Sequence, residues 1–232
     1  MATLLMIPAK RDGFTLLEIM ISILIFGVVI TTVFASYRSV FFSTDKIHDG
    51  LDLYGMAGSC LNRMVLDINE AVIALPPEWE KPDVDSDPHP YRVVGDQSNG
   101  LGGDFSQLRL ASRAHVSLDG TLQEGIAEIV YYVSEDAEGE RVLRRADRLY
   151  PYEKEEESAA DPILCEKVKS LVFTYVDEEG DTHQEWDSES EGDGYATPKG
   201  VQILLEVGDA ESESFFFDTM VTLPVVRETI EE

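Results

Sequence analysis

The sequence of 232 residues predicts an α+β protein in which a long N-terminal helix packs on antiparallel β-sheet, the helix being apolar in its first part and amphipathic in its second. Three observations predict this. Ile19 to Tyr37 carries no charge at all. Apolar residues then recur at spacings of three and four as far as Leu75, the period of one helix face. From Leu108 onward the pattern changes to short runs rich in β-branched and aromatic residues, separated by turn-forming clusters, as hairpins require. Hydrophobic residues make up 44% of the chain, enough for a core, which argues against wholesale disorder.

The first element is read as crossing a membrane. As a helix, Phe14 to Tyr37 spans roughly 36 Å at about 1.5 Å per residue. A hydrocarbon layer is about 30 Å thick, so residues 14–37 fit with some tilt. Lys10 and Arg11 precede the span, whereas the acid follows it. Asp12 and Glu18 are the only carboxylates in the first 43 residues of a chain with 45 Asp and Glu, 18 Lys and Arg, and a net charge of −27. The positive-inside bias puts the N-terminus in the cytoplasm and the bulk outside.

Residues 38–75 are read as an amphipathic continuation. Ile47, Leu51, Tyr54, Gly58, Leu61, Val65, Ile68, Val72 and Leu75 form one stripe, with Asp49, Asp52, Asn62, Arg63, Asp67 and Asn69 off it. Pro76-Pro77 stops the helix. Gly50, Gly55 and Gly58 weaken it locally. The stripe is taken as the face that packs on sheet; a coiled-coil partner is the second reading.

Residues 76–104, rich in Pro, Asp and Gly, read as a long loop. Leu108 and Leu110 alternate with Gln107 and Arg109 in the first strand pattern. Ile126 to Val133 is a strong strand, joined through the turn Asp136 to Gly139 to a weaker one at Arg141 to Arg145. Leu171 to Val176, Val201 to Val207 and Ser214 to Leu223 complete the set.

The charge argues against nucleic-acid binding and against peripheral docking on anionic lipid. His48, His89, His115 and His183 stand in no ligand spacing and are read as surface residues. There is no G-x-S-x-G, no P-loop and no H-E-x-x-H. Gly100 to Gly103 precedes no helix pattern, so a dinucleotide loop fails on context. Asp83, Asp85 and Asp87 open like a calcium loop, but Pro88 and Val94 stand where Gly and Glu are needed. Between Asp177 and Asp193 lie nine acids and no Lys or Arg. They read as a solvated, self-repelling loop, with a calcium-ordered loop as the alternative. No catalytic residue, metal or cofactor is predicted. For Cys60 and Cys165, a bridge clipping helix to sheet and two separately buried thiols both fit.

The edge of the apolar run reads Lys10-Arg11-Asp12-Gly13-Phe14-Thr15-Leu16-Leu17-Glu18. A secretory signal peptide cleaved after Ala35, before Ser36, would explain the run alone, as would an uncleaved anchor. Neither explains Glu18. A carboxylate in lipid costs about 2.5–3.5 kcal/mol at mid-membrane and less near the edge, and the helix contains no partner for it. The segment Gly13 to Glu18 followed by a long apolar run resembles the signal of type IV pilins and pseudopilins. That resemblance implies a pilin-like fold and cleavage between Gly13 and Phe14 by a prepilin peptidase, which removes residues 1–13 as a leader. It further implies methylation of the new Phe14 amino group. Glu18 would then pair with the Phe14 ammonium of a neighbouring subunit and set register in a helical filament.

The C-terminal half is similar to J-type minor pseudopilins of type II secretion systems. The shared pattern is Val168 to Tyr175, then Asp177, Gly180, Trp186, and Pro198 before the strand from Val201, with Tyr131, Tyr132, Leu143 and Arg144 upstream. The departures are His183 and Gln184 in the region of a second Trp, Thr197 before the Pro, and an inserted acidic stretch from Asp187 to Asp193. W-type minor type IV pilins, which prime surface fibres for adhesion or DNA uptake, share the layout and are the alternative; an anchored or secreted hydrolase is the more distant one. The J-type resemblance implies a non-enzymatic subunit held in the inner membrane, with residues 76–232 a periplasmic domain. Its implied partners are the I- and K-type minor pseudopilins, the major pseudopilin, the prepilin peptidase, inner-membrane lipid and secreted substrate at the pseudopilus tip.

Overall fold

The structure, a computed structural model, describes residues 13–83, 87–97, 104–117, 124–151, 158, 160–208 and 214–230, without the side chains of 39–49. Lys10, Arg11, Asp12, Asp85, Gly100 to Gly103 and the His48 side chain, all weighed above, lie outside this description. The chain divides into two units, Met1–Leu51 and Asp52–Glu232.

α1 spans Leu16–Asn69. In the first unit, Leu16–Arg38 has a mean hydropathy of 2.5 and no buried residue. In the second unit the helix buries Ala57, Cys60, Leu61, Met64, Asp67 and Ile68. This corrects the expected stripe: Leu51 and Tyr54 are more than half exposed, and Asp67, expected off the buried face, is fully buried on it. The small residues Ala57 and Cys60 take the inward positions. The helix was expected to reach Leu75, but it ends at Asn69, because the backbone there changes partner. Val72 N–H donates to the Ala111 carbonyl (2.8 Å), and Arg113 N–H donates to that of Glu70 (3.0 Å). The next apolar residue, Ala71, forms a β-bridge with Ser112.

Ten strands follow. β1 (Val94–Asp96), β2 (Gln107–Ser112), β3 (Ala127–Glu135), β4 (Arg141–Leu149) and β5 (Ile163–Cys165) belong to one sheet. β6 (Val168–Val176), β7 (Thr182–His183), β9 (Gly200–Val207) and β10 (Phe215–Thr222) form another, and β8 (Trp186–Asp187) returns to the first. The six-stranded sheet has the order β5-β4-β3-β2-β1-β8 and the four-stranded sheet β10-β9-β6-β7. Every strand pairing is antiparallel. The α+β antiparallel expectation therefore holds. The long loop does not hold in full: β1 lies within 76–104, and β4 runs four residues past the expected Arg145.

One core joins these elements. The buried face of α1 meets Leu108, Ile129, Tyr131 and Leu143 from the first sheet and Leu171, Phe173, Ile203 and Leu205 from the second. The sheets are tied where Phe105 and Leu171 form a parallel bridge and Ser106 N–H donates to the Leu171 carbonyl (2.7 Å). Gly95 is required at their closest approach, because a Cβ there would fall on the Tyr175 phenol ring. The opposite face of the first sheet carries a small second cluster of Val130, Tyr132 and Ala146.

Candidate assembly site

Gly13 to Thr15 are non-helical, and α1 starts directly after them. Thr15 caps it: its hydroxyl accepts the Glu18 backbone N–H (3.3 Å), and its carbonyl accepts those of Glu18 (3.1 Å) and Ile19 (3.3 Å). Thr-x-x-Glu has the spacing of a capping box. An acid in the first turn also lies at the positive end of the helix dipole. Glu18 thus has a local role that the sequence reading missed, although the Thr15–Glu18 spacing was there to signal it.

The predicted processing residues are open. Phe14 is 81% exposed, and nothing crowds the Cα of Gly13. Glu18 is exposed, and among the described residues no cation pairs with its carboxylate. The span's hydroxyls are satisfied within the helix. Ser22 donates to the Glu18 carbonyl (2.7 Å), Thr31 to that of Gly27 (2.9 Å) and Ser36 to that of Thr32 (2.9 Å). Backbone satisfied internally, with hydroxyls turned back onto it, suits a helix in lipid. Gly13, Phe14 and Glu18 therefore stand together within about one turn of the helix start, and all three are exposed.

Among its described residues the second unit holds two buried charge networks. In the first, the Asp67 carboxylate accepts from Arg145 Nε (2.7 Å) and Nη2 (3.2 Å), from Arg63 Nη2 (2.5 Å) and from the Tyr131 hydroxyl. Arg145 also reaches Asp147 (2.5 Å), which holds His115 Nδ1 (2.5 Å). Burial alone would lower the Arg145 pKa, but hydrogen bonds and charge from Asp67, then Asp147, raise it above the ordinary guanidinium range. Burial first, then the charge and hydrogen bond of Asp67, push the Tyr131 phenol up. Asp67, Arg145 and Tyr131 fasten α1 to β3 and β4.

The second network reorganises the acidic stretch. Arg227, only 2% exposed, donates from Nε to the Tyr195 carbonyl (2.7 Å), from Nη1 to that of Ala74 (3.2 Å) and from Nη2 to that of Ser188 (2.5 Å). Its Nη2 also meets Glu189 (3.1 Å), and its guanidinium lies 4.0 Å from the Trp79 ring centroid. Trp79 Nε1–H donates to the same Glu189 oxygen (3.0 Å). Asp193 accepts the Asp187 N–H (2.9 Å). The part from Trp186 to Ser190 is thus folded into the molecule, whereas Glu179 to Glu185, Glu191 and Gly192 are exposed, so the solvated-loop expectation is corrected only in part. The cation that folds it, Arg227, lies outside the 177–193 window. Among the described residues no three acidic, His or Cys side chains converge as metal ligands.

Two of the histidines differ from the surface expectation: His115 is largely buried and His89 is half-buried. His183 is exposed, as expected; it pairs with Asp177 (2.6 Å) and its ring meets Trp186 edge-on. Cys60 and Cys165 are both free and buried.

A family model described as "Type II secretion system (T2SS), protein J" matches residues 59–217. The chain belongs to that family. It is a minor pseudopilin of a type II secretion system, and the alternative of a minor type IV pilin is not favoured. A second model, "Prokaryotic N-terminal methylation motif", matches residues 8–34, a range that contains Gly13, Phe14 and Glu18. No curated protein matches the chain. Members of this family are structural pseudopilins not known as enzymes, and membership implies assembly with other pseudopilins. The apolar helix near the N-terminus fits a single-pass membrane anchor. The matched range covers the residues that carried the J-type resemblance, among them Trp186 and the strand from Val168. Trp186 is buried, donates to the Ala196 carbonyl (3.1 Å) and packs by Tyr175.

Proposed function

We propose that the chain is cleaved between Gly13 and Phe14, methylated on the Phe14 amino group, and assembled at the tip of a pseudopilus. Residues 14–37 anchor it in the inner membrane, residues 38–69 continue the helix, and residues 76–232 form a periplasmic domain without enzymatic activity. The I- and K-type minor pseudopilins and the major pseudopilin are its partners, and secreted substrate meets its domain. What supports this is a single observation: an unobstructed, non-helical Gly13-Phe14 bond lies immediately before an N-capped apolar helix, inside a matched methylation motif.

Glu18 supplies the assembly chemistry. Its carboxylate is exposed in the single chain and is costly in lipid unless paired. The freed ammonium of a neighbour's Phe14 is the matching cation, and forming that pair fixes the stagger of adjacent helices. Intact mass of protein isolated from its own membranes tests the processing. The expected mass lacks residues 1–13 and gains one methyl group; a chain beginning at Met1 or Ser36 refutes the reading. Glu18→Ala leaves that mass change intact but lowers recovery with the other minor pseudopilins. Unimpaired secretion by this variant as the only copy would sink the register role.

A further inference from the structure

The two cysteines are more than one hundred residues apart in the second unit's sequence, yet both lie in its main core. Cys60 lies on the inward face of α1, 1% exposed, and Cys165 ends β5, 0% exposed, both in the apolar cluster that joins helix and sheets. The two thiols are neighbours, each shifting the titration of the other. The strand register fixes Cys165 beside Leu143, and its thiol donates to the Glu166 carbonyl (3.7 Å). A core that needed only apolar filling here would gain nothing from two thiols in place of methyl groups, since the thiol is a weak donor.

We infer that Cys60 and Cys165 are a modification site, joined in the mature protein by a disulfide that clips α1 to β5. The inference rests on the reading that this unit faces the periplasm, where disulfides persist. The oxidant is a protein disulfide of the dithiol-oxidase class. The thiolate of one cysteine attacks one of its sulfurs, the oxidant's S–S bond breaks, and a mixed disulfide forms. The other cysteine, losing its proton, then attacks the chain's sulfur in that mixed disulfide and expels the oxidant as a dithiol. Two electrons and two protons pass from the chain to the oxidant. Both sulfurs are sealed once the core closes, so exchange occurs on the chain before α1 docks fully.

The test uses the full chain from its own membranes, denatured with a maleimide-polyethylene glycol. Wild-type protein is expected to show no adduct before reduction and two after it. Cys60→Ser and Cys165→Ser are each expected to show one adduct without reduction. Two adducts on unreduced wild type, in cells whose spheroplasts expose the domain to added protease, overturn the disulfide while leaving the periplasmic reading standing. A domain protected from that protease refutes the compartment instead. The bridge is then decided by refolding the reduced full chain with oxidised glutathione: an intramolecular disulfide supports the site, and free or glutathione-capped thiols overturn it. The wild-type measurement needs no variant, so a misfolding substitution cannot mask the result.

Discussion

Arg227 shows how much one residue can organise. Its guanidinium satisfies three backbone carbonyls and Glu189 while lying on the face of Trp79. Burial lowers its pKa, and Glu189 opposes that shift. Arg227→Met keeps much of the volume but leaves Glu189 as a buried anion without its counter-ion. Loss of one partner of a buried pair costs about 3–5 kcal/mol. Chemical denaturation of the full chain in detergent is expected to show a loss of that size, and the double variant Arg227→Met with Glu189→Gln is expected to recover part of it. Equal loss in both would mean that the carbonyl contacts, not the ion pair, carry the effect. His89 lies in the same electrostatic neighbourhood. Burial holds its imidazole below 6.5, Glu189 opposing the shift and Arg227 adding to it. A histidine depressed in the folded chain binds fewer protons there than in the unfolded chain. Its contribution to stability is therefore complete above 6.5 and is lost as pH falls toward the folded value. His89→Gln is expected to flatten the fall in denaturation midpoint between about pH 7 and about pH 5; parallel pH profiles for the two proteins would refute the assignment. None of these contacts was legible in the sequence. Arg227 lies far along the chain from Ala74 and in no motif with Glu189, and a buried pair between distant segments leaves no periodic trace.

At the scale of elements, the sequence was informative wherever a single period held for long enough. The apolar span, β3, β6 and β9 are long, strongly patterned segments, and each is found where its pattern lies. The two-residue β7 and β8 and the three-residue β1 and β5 were missed because elements so short exist through their pairing partners, not through propensity. The helix stripe was misplaced for a different reason. Ala57 and Cys60 are small, and Asp67 is charged, so a search for large apolar residues picked out Leu51 and Tyr54 instead. What places Asp67 inward is the Arg145 on β4, more than seventy residues away. β1 gives the sharpest test at this scale. It carries Gly95 opposite Trp186 and Leu108, and the absent side chain leaves room for Tyr175 from the other sheet. Tyr175 is fully buried, and burial pushes its phenol pKa up. Gly95→Ala must displace that ring, and overpacking of this kind costs about 1–3 kcal/mol. The expected result is a lower thermal midpoint. Tyr175→Leu, combined with it, is expected to return part of the loss, because the clash goes with the ring. An unchanged midpoint in Gly95→Ala would show that the sheets adjust freely at this crossing.

For the whole molecule, the division of labour follows from which surface each unit buries. Leu16–Arg38 buries nothing within the chain, so its apolar surface is matched to lipid or to neighbouring subunits. The second unit closes its own core, whose helical share begins at Ala57. The sequence announced this partition through charge: nearly all the acid follows the apolar run, and a domain so acidic stays soluble while copies of it repel. What the sequence could not announce is that the acidic stretch is internally ordered, since its one buried counter-charge comes from another segment. A chain that begins at Asp52 retains every residue of the main core cluster and removes the lipid-matched surface. It is therefore expected to fold in water without detergent, with a thermal midpoint within about 3 °C of the same unit in the full chain. It is also expected to fail as the only copy in a secretion assay, because Phe14 and Glu18, the groups assigned to assembly, are gone. A much lower midpoint would mean that residues before Asp52 contribute to the fold of the second unit. Restored secretion would place the essential contacts wholly in the acidic domain and leave the N-terminal pair without its proposed role.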